Sequence, residues 1–133
     1  MYTRCGLQCS APLCSIAHVS EHLIRELFRT IDARRWTELP AFFDPEIHYE
    51  RPGYAPIDGL AALLDFYANV RIVACGEHVL SGITAHETRA ACWGVFRGVS
   101  VTGKALEERF ADIYSIRAGR VVTRTTYFYR AAI

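Results

Sequence analysis

From Ala74 to Arg130 apolar and polar residues alternate with period two, and the alternation is interrupted only by short turns at His86-Glu87-Thr88, Thr102-Gly103 and Ala118-Gly119. Successive side chains of a strand point to opposite faces, so such a run can bury one face only as a strand. Four strands are expected: Gly76 to Ala85, Arg89 to Ser100, Leu106 to Ile116 and Val121 to Arg130. Connections this short join antiparallel neighbours, which makes the sheet mainly antiparallel.

The last hairpin, LEERFADIYSIRAGRVVTRTTYFYR, carries one unusual residue. Asp112 shares a strand face with Phe110, Tyr114 and Ile116. An acid on an apolar face must be hydrogen-bonded, paired with a cation, or held unpaired for chemistry. Candidate cations are Arg51 and Arg124. A structural ion pair and a catalytic carboxylate remain open readings here, because both place an acid beside a cation.

Upstream the period changes. Ser20 is placed to cap a helix in which Leu23, Ile24, Leu27, Phe28 and Ile31 recur at helical spacing, with Glu21 four residues before Arg25. A second, short helix has the stripe Trp36, Leu39, Phe42 and Phe43, takes Pro40 in its first turn, and stops at Asp44-Pro45. Ile47 to Arg51 reads as a strand closed by Pro52-Gly53, and Asp58 as the cap of a third helix bearing Leu60, Leu63, Leu64 and Tyr67. Helix, helix, strand, helix and a four-strand meander predict the α+β class. A long, strongly curved, mainly antiparallel sheet around three N-terminal helices makes a cone-shaped α+β barrel, whose apolar interior suits a small ligand.

The 133 residues, 51% of them hydrophobic, suit one core. Residues 1–19 read as a flexible N-terminal extension and 20–133 as the domain. Net charge is +1 and the charges are scattered, which excludes a nucleic-acid footprint; no apolar run is long enough to cross a membrane. Of the 15 basic residues only Lys104 is a lysine; this suits bidentate anion contacts but equally reflects genomic base composition. Five cysteines are an odd set for a disulfide framework. Cys75 and Cys92 read as core residues in a reducing, cytoplasmic setting, and Cys5, Cys9 and Cys14 match no zinc spacing. No metal or other cofactor is expected.

Three segments, FFDPEIHYERPG, PIDGLAALLDFY and RFADIYSIRAGRVV, in this order and spacing across residues 20–133, resemble the nuclear-transport-factor-2-like superfamily, and within it the SnoaL-like and ketosteroid-isomerase-like branch. The fold hosts isomerases, cyclases, hydrolases, dehydratases and binding modules, so it does not specify an activity. In SnoaL-like polyketide cyclases the acid/base is an Asp standing eight residues before the basic residue after the hairpin Gly, and Asp112 stands so to Arg120. The resemblance thus implies Asp112 as acid/base. In ketosteroid isomerases the base precedes the Pro that closes the first strand, where this chain has Arg51, and their helix-one Tyr falls on Leu27. Steroid isomerisation is therefore not expected.

By comparison with the ketosteroid-isomerase pattern, Arg124, Thr126 and Phe128 face inward; Arg124 and Arg51 would stabilise developing negative charge. Tyr49 and Arg51 are expected on the pocket side of the first strand, with His48 and Glu50 outside it and Glu50 a reserve base. Tyr49 and Tyr67 would orient a substrate, and Trp93, Phe110 and Phe128 would line its pocket, although aromatics at such spacings also serve as plain core. His78 could carry a proton or fill the core. The expected activity is a cofactor-independent isomerase or cyclase acting on a small, largely apolar carbonyl compound of secondary metabolism. A non-catalytic ligand-binding or assembly module, dimeric through the outer sheet face, is the alternative; epoxide opening or dehydration would use the same parts. An open cavity reaching Asp112 favours the enzyme, and one filled by Trp93, Phe110 and Phe128 favours the module.

Overall fold

The computed structural model describes the backbone of residues 11–130 and the side chains of residues 19–130. The expectations for residues 1–10, Cys5, Cys9 and the Cys14 side chain lie outside the described residues.

Helix α1 spans Ala11–Asp32, so the helix begins well before Ser20, which is 3% exposed inside it rather than a cap. Ser20 lies on the same buried side of the helix as Ile24 and Leu27 and does not terminate it. Ile24, Leu27, Phe28 and Ile31 are buried against the sheet. The expected second helix is a tighter 3-10 turn, Trp36–Ala41, with Pro40 inside it and Leu39 buried. Proline has no N–H to extend an α-helix, and a short stretch settles for i to i+3 bonds.

Strand β1, Phe43–Glu50, runs through Asp44-Pro45, where a stop was expected. It pairs in parallel with the last strand, and the register shifts between Phe43 and His48, which lets Pro45 sit where no ladder bond is needed. The two-residue strand β2, Ile57–Asp58, pairs with β1 through His48 and Asp58. Asp58 therefore does not cap the next helix. Gly59, at φ 87°, turns the chain into α2, Leu60–Asp65, which opens into a single π turn at Phe66–Val70.

The meander follows as expected: β3 Val73–Ala85, β4 Arg89–Ser100, β5 Ala105–Arg117 and β6 Arg120–Phe128. Ala118 and Gly119, at φ 50° and 74°, form the two-residue turn between β5 and β6. The sheet order is β2-β1-β6-β5-β4-β3, antiparallel except for β1 beside β6. The sheet is thus mixed and open, with β2 and β3 as its edges. Register shifts that leave an extra residue in β3 after Leu80 and in β6 between Val121 and Thr123 bend the sheet. Gly94 permits the close approach of β3, since a Cβ there would lie 2.1 Å from the Val79 carbonyl oxygen. No described helix is long and apolar enough to cross a membrane.

Candidate functional site

A cavity of about 510 Å³ opens between the π turn and the inner face of the sheet, within the size range of small-ligand sites. It reaches Asp112 and is not filled: Phe110 and Phe128 line its wall. Trp93, expected in that wall, is 46% exposed on the opposite face, because the strict alternation of β4 that buries Cys92 and Gly94 turns Trp93 outward. There its indole lies across Gly82, where a Cβ would come within 2.3 Å of the ring.

Asp112 is 0% exposed, and the alternation of β5 buries Phe110, Tyr114 and Ile116 with it. Its cation is Arg124, its near neighbour across the β5–β6 ladder, and not Arg51. Arg124 donates from Nε at 3.0 Å and Nη2 at 2.8 Å to Asp112 Oδ2, which also accepts from Tyr114 Oη at 2.8 Å. Thr126 Oγ1 donates to Oδ1 at 2.5 Å. Four donors and complete burial commit the carboxylate to this network. Burial is the largest influence on Arg124 and disfavours its charge, but the Asp112 carboxylate together with Tyr114, Tyr49 and Tyr67 outweighs it and holds the guanidinium above its ordinary range. Burial also pushes the Tyr114 phenol well up, the Tyr49 phenol to about 12 and the Cys92 thiol to about 12. All three keep their protons at neutral pH.

An ionised carboxylate only accepts, so the direction of every bond behind it follows. Thr126 gives its proton to Asp112, and Tyr49 Oη must then donate to Thr126 Oγ1, at 2.9 Å. On the other side Arg124 Nη1 donates to Tyr67 Oη at 2.8 Å. With its oxygen accepting from Arg124, the Tyr67 O–H has no acceptor of its own among the described residues, and the side chain lines the cavity. It is a hydrogen-bond donor backed by a guanidinium.

A second polar unit borders the same cavity. Asp32, at the end of α1, accepts from the His78 backbone N–H at 2.8 Å and sits 2.5 Å from His78 Nδ1. Nδ1 carries the proton, since the carboxylate can only accept, and Nε2 carries the lone pair. Burial lowers the His78 pKa below its ordinary 6.5, against the opposing pull of Asp32. The imidazole is therefore neutral near pH 7. His78 borders the main cavity and a smaller one of about 210 Å³, whereas Asp32 borders only the smaller. With Nδ1 turned to Asp32, Nε2 has no hydrogen-bond partner among the described residues, and the ring packs among Phe28, Phe96 and Phe110.

Arg51 lies at the mouth, its guanidinium 4.0 Å from the Phe66 ring centre and 4.5 Å from that of Tyr54. Tyr49 and Arg51 face the cavity, as the period of β1 implies, and His48 and Glu50 lie outside it. His48 bridges Asp58 at 2.5 Å and Glu50 at 2.9 Å; its bonds to Asp58 and then Glu50 raise its pKa. Sequence reasoning assigned no role to Asp32, Arg71 or Tyr114. Tyr114 was visible as a face-mate of Asp112, while nothing local marks Asp32 or Arg71, which meet the site only through the fold.

A family model described as a SnoaL-like domain matches residues 24–124. No curated protein matches. Solved structures with this fold include an NTF2-like protein of unknown function from Burkholderia pseudomallei, TM-score 0.75 at 18% identity, covering 83% of this chain and 90% of that one. An LEH-like epoxide hydrolase from M. tuberculosis also has TM-score 0.75, at 12% identity, covering 84% of each chain. A candidate SnoaL-like polyketide cyclase from Jannaschia has TM-score 0.70 at 15% identity, covering 86% and 88%. At such identities the likeness is one of fold.

Proposed function

The chain belongs to the SnoaL-like domain family, and from that premise we propose that it is a cofactor-independent enzyme that moves protons on a small, largely apolar carbonyl compound. The observation that carries this reading is a pair of groups lining one open cavity: a neutral histidine oriented by a carboxylate, and a tyrosine O–H backed by an arginine. The substrate carbonyl oxygen accepts a hydrogen bond from Tyr67. His78 Nε2 removes a proton from the carbon beside that carbonyl, and the electron pair moves into the enolate. Asp32 stabilises the imidazolium so formed, and Arg124 strengthens Tyr67 against the growing charge on oxygen. Where a double bond is conjugated with the enolate, return of the proton from the His78 imidazolium to its far carbon completes an isomerisation; alternatively, attack of the enolate carbon on a second carbonyl closes a ring, and the imidazolium protonates the resulting alkoxide.

In this proposal Asp112 is the anion that holds Arg124 in place, with Thr126 and Tyr49 locking it, rather than the acid/base that the family resemblance implies. Its saturation by buried donors supports that change of role. Tyr49, Phe110 and Phe128 shape the pocket, while Trp93 belongs to the outer face, which we propose meets a second copy of the chain.

The test is deuterium incorporation at the α-carbon of 2-tetralone or 1-indanone in D2O, followed by NMR. Wild type is expected to accelerate exchange over buffer, and His78→Asn and Tyr67→Phe to abolish most of the gain. Binding of these ketones with no exchange in wild type would instead support a ligand-binding module.

A further inference from the structure

We propose that the cavity mouth is a carboxylate clamp, in which Arg51 and Arg71 receive the anionic end of an amphipathic acid whose apolar body fills the cavity. This deepens the proton-transfer reading and rests on it in taking the cavity as the substrate site. The charges lining the cavity are four arginines and two carboxylates. Arg124 is spent on Asp112 and Arg130 on Glu108, at 2.8 Å and 3.0 Å. Arg51 and Arg71 have no carboxylate partner among the described residues.

Both are partly buried, and both lie on aromatic faces that cannot neutralise them. The Arg51 guanidinium rests on Phe66; that of Arg71 is 5.5 Å from each of the Tyr67 and Phe96 ring centres. Phe66 and Tyr67 are themselves edge to face at 5.1 Å, so the two guanidinium groups flank one aromatic pair presented by the π turn. Arg51 Nε is sealed from solvent with no hydrogen-bond partner, the single such side-chain atom among the described residues. The Nη groups of Arg51 also have no hydrogen-bond partner among the described residues but are not sealed, so they are the donors that an anionic oxygen in the cavity would meet. Burial pulls the Arg71 pKa down, the signature of a cation lacking a counter-ion.

The site's neighbours give it direction. Tyr54, Val70 and Ile72 beside these arginines are 58–64% exposed, whereas Tyr67 and Phe110 deeper in are 4% and 6% exposed. An acid held at the mouth would send its apolar body inward against Phe96, Leu106 and Phe110. A carbonyl on that body would come to Tyr67 and its α-carbon to His78. The substrate class is thus an apolar keto acid rather than a neutral ketone.

Calorimetric titration with 2-naphthoate and its neutral isostere 2-naphthamide tests this, on wild type, Arg51→Met and Arg71→Met, with folding checked by circular dichroism. The acid is expected to bind wild type at least tenfold more tightly than the amide. Each methionine variant should lose that preference while keeping its affinity for the amide. Raising NaCl from 50 to 500 mM should narrow the preference in wild type, which preserves the test should a variant not fold. Equal binding of acid and amide would overturn the clamp and leave the proton-transfer reading intact, since neutral ketones would still exchange. Binding of neither probe would overturn the clamp and count against the cavity as a substrate site.

Discussion

Replacing Arg124 with Met removes a guanidinium that donates twice to Asp112 and once to Tyr67, yet keeps much of the side chain's volume. Asp112, 0% exposed, is left with Tyr114 and Thr126 as its donors and with no cation. Breaking a buried ion pair by removing one partner costs about 3–5 kcal/mol, because the orphaned charge stays in a poorly solvating interior. A surface pair such as Arg97 with Glu107, both more than 60% exposed, contributes about 0–1 kcal/mol by contrast. Urea unfolding at pH 7 should therefore show a midpoint drop of about 2 M for Arg124→Met, taking an unfolding slope of about 2 kcal/mol/M. A buried carboxylate without a cation favours its neutral form, so the deficit should shrink as the pH is lowered. The double variant Asp112→Asn, Arg124→Met should be more stable at pH 7 than Arg124→Met alone, since the uncompensated charge is gone. A deficit below about 1 kcal/mol, or a double variant less stable than the single, would refute the buried pair as the anchor of the site.

Tyr67→Phe retains the ring that stacks on Trp36 at 5.3 Å but removes both the cavity-facing donor and the acceptor of Arg124 Nη1, so stability should fall by about 1–3 kcal/mol while α-proton exchange falls roughly 10²–10³-fold. The His78 pKa lies below 6.5, so the acid limb of kcat/KM should fall below that value; the same shift makes folding stability full above pH 6.5 and progressively lost as the pH falls through the lowered value. Asp32→Asn removes an influence that raises that pKa, so the limb should move lower still, with a rate loss of about 10² from the lost orientation of the imidazole. Trp93→Arg should leave naphthoate binding within about twofold, a difference under 0.5 kcal/mol, and light scattering should show the proposed outer-face dimer in wild type and a monomer in the variant.

How much of this was legible before folding depends on whether the relevant interactions are local. The period of two along β3 to β6 set strand positions and which side chains share a face. It put Phe110, Asp112, Tyr114 and Ile116 together, and the same alternation along the first strand put Tyr49 with Arg51, because a strand's two faces follow from covalent geometry alone. The same rule, applied to β4, would have turned Trp93 away from Cys92 and out of the pocket. Helix ends were less legible: Ser20 and Asp58 are good caps in isolation, yet the buried stripe of α1 and the pairing of β2 with β1 overrode both.

What no local pattern could supply is the pairing of groups distant in sequence. The choice of Arg124 over Arg51 for Asp112 follows from the β5–β6 register. The meeting of Asp32 with His78 requires α1 to lie in the curve of β3. The unpaired guanidinium groups of Arg51 and Arg71 share a rim only because a π turn sets Phe66 and Tyr67 between them. Alternation is written into a chain by its backbone, whereas charge pairing inside a cavity is settled by packing, which assigns each buried polar group the partners it can reach.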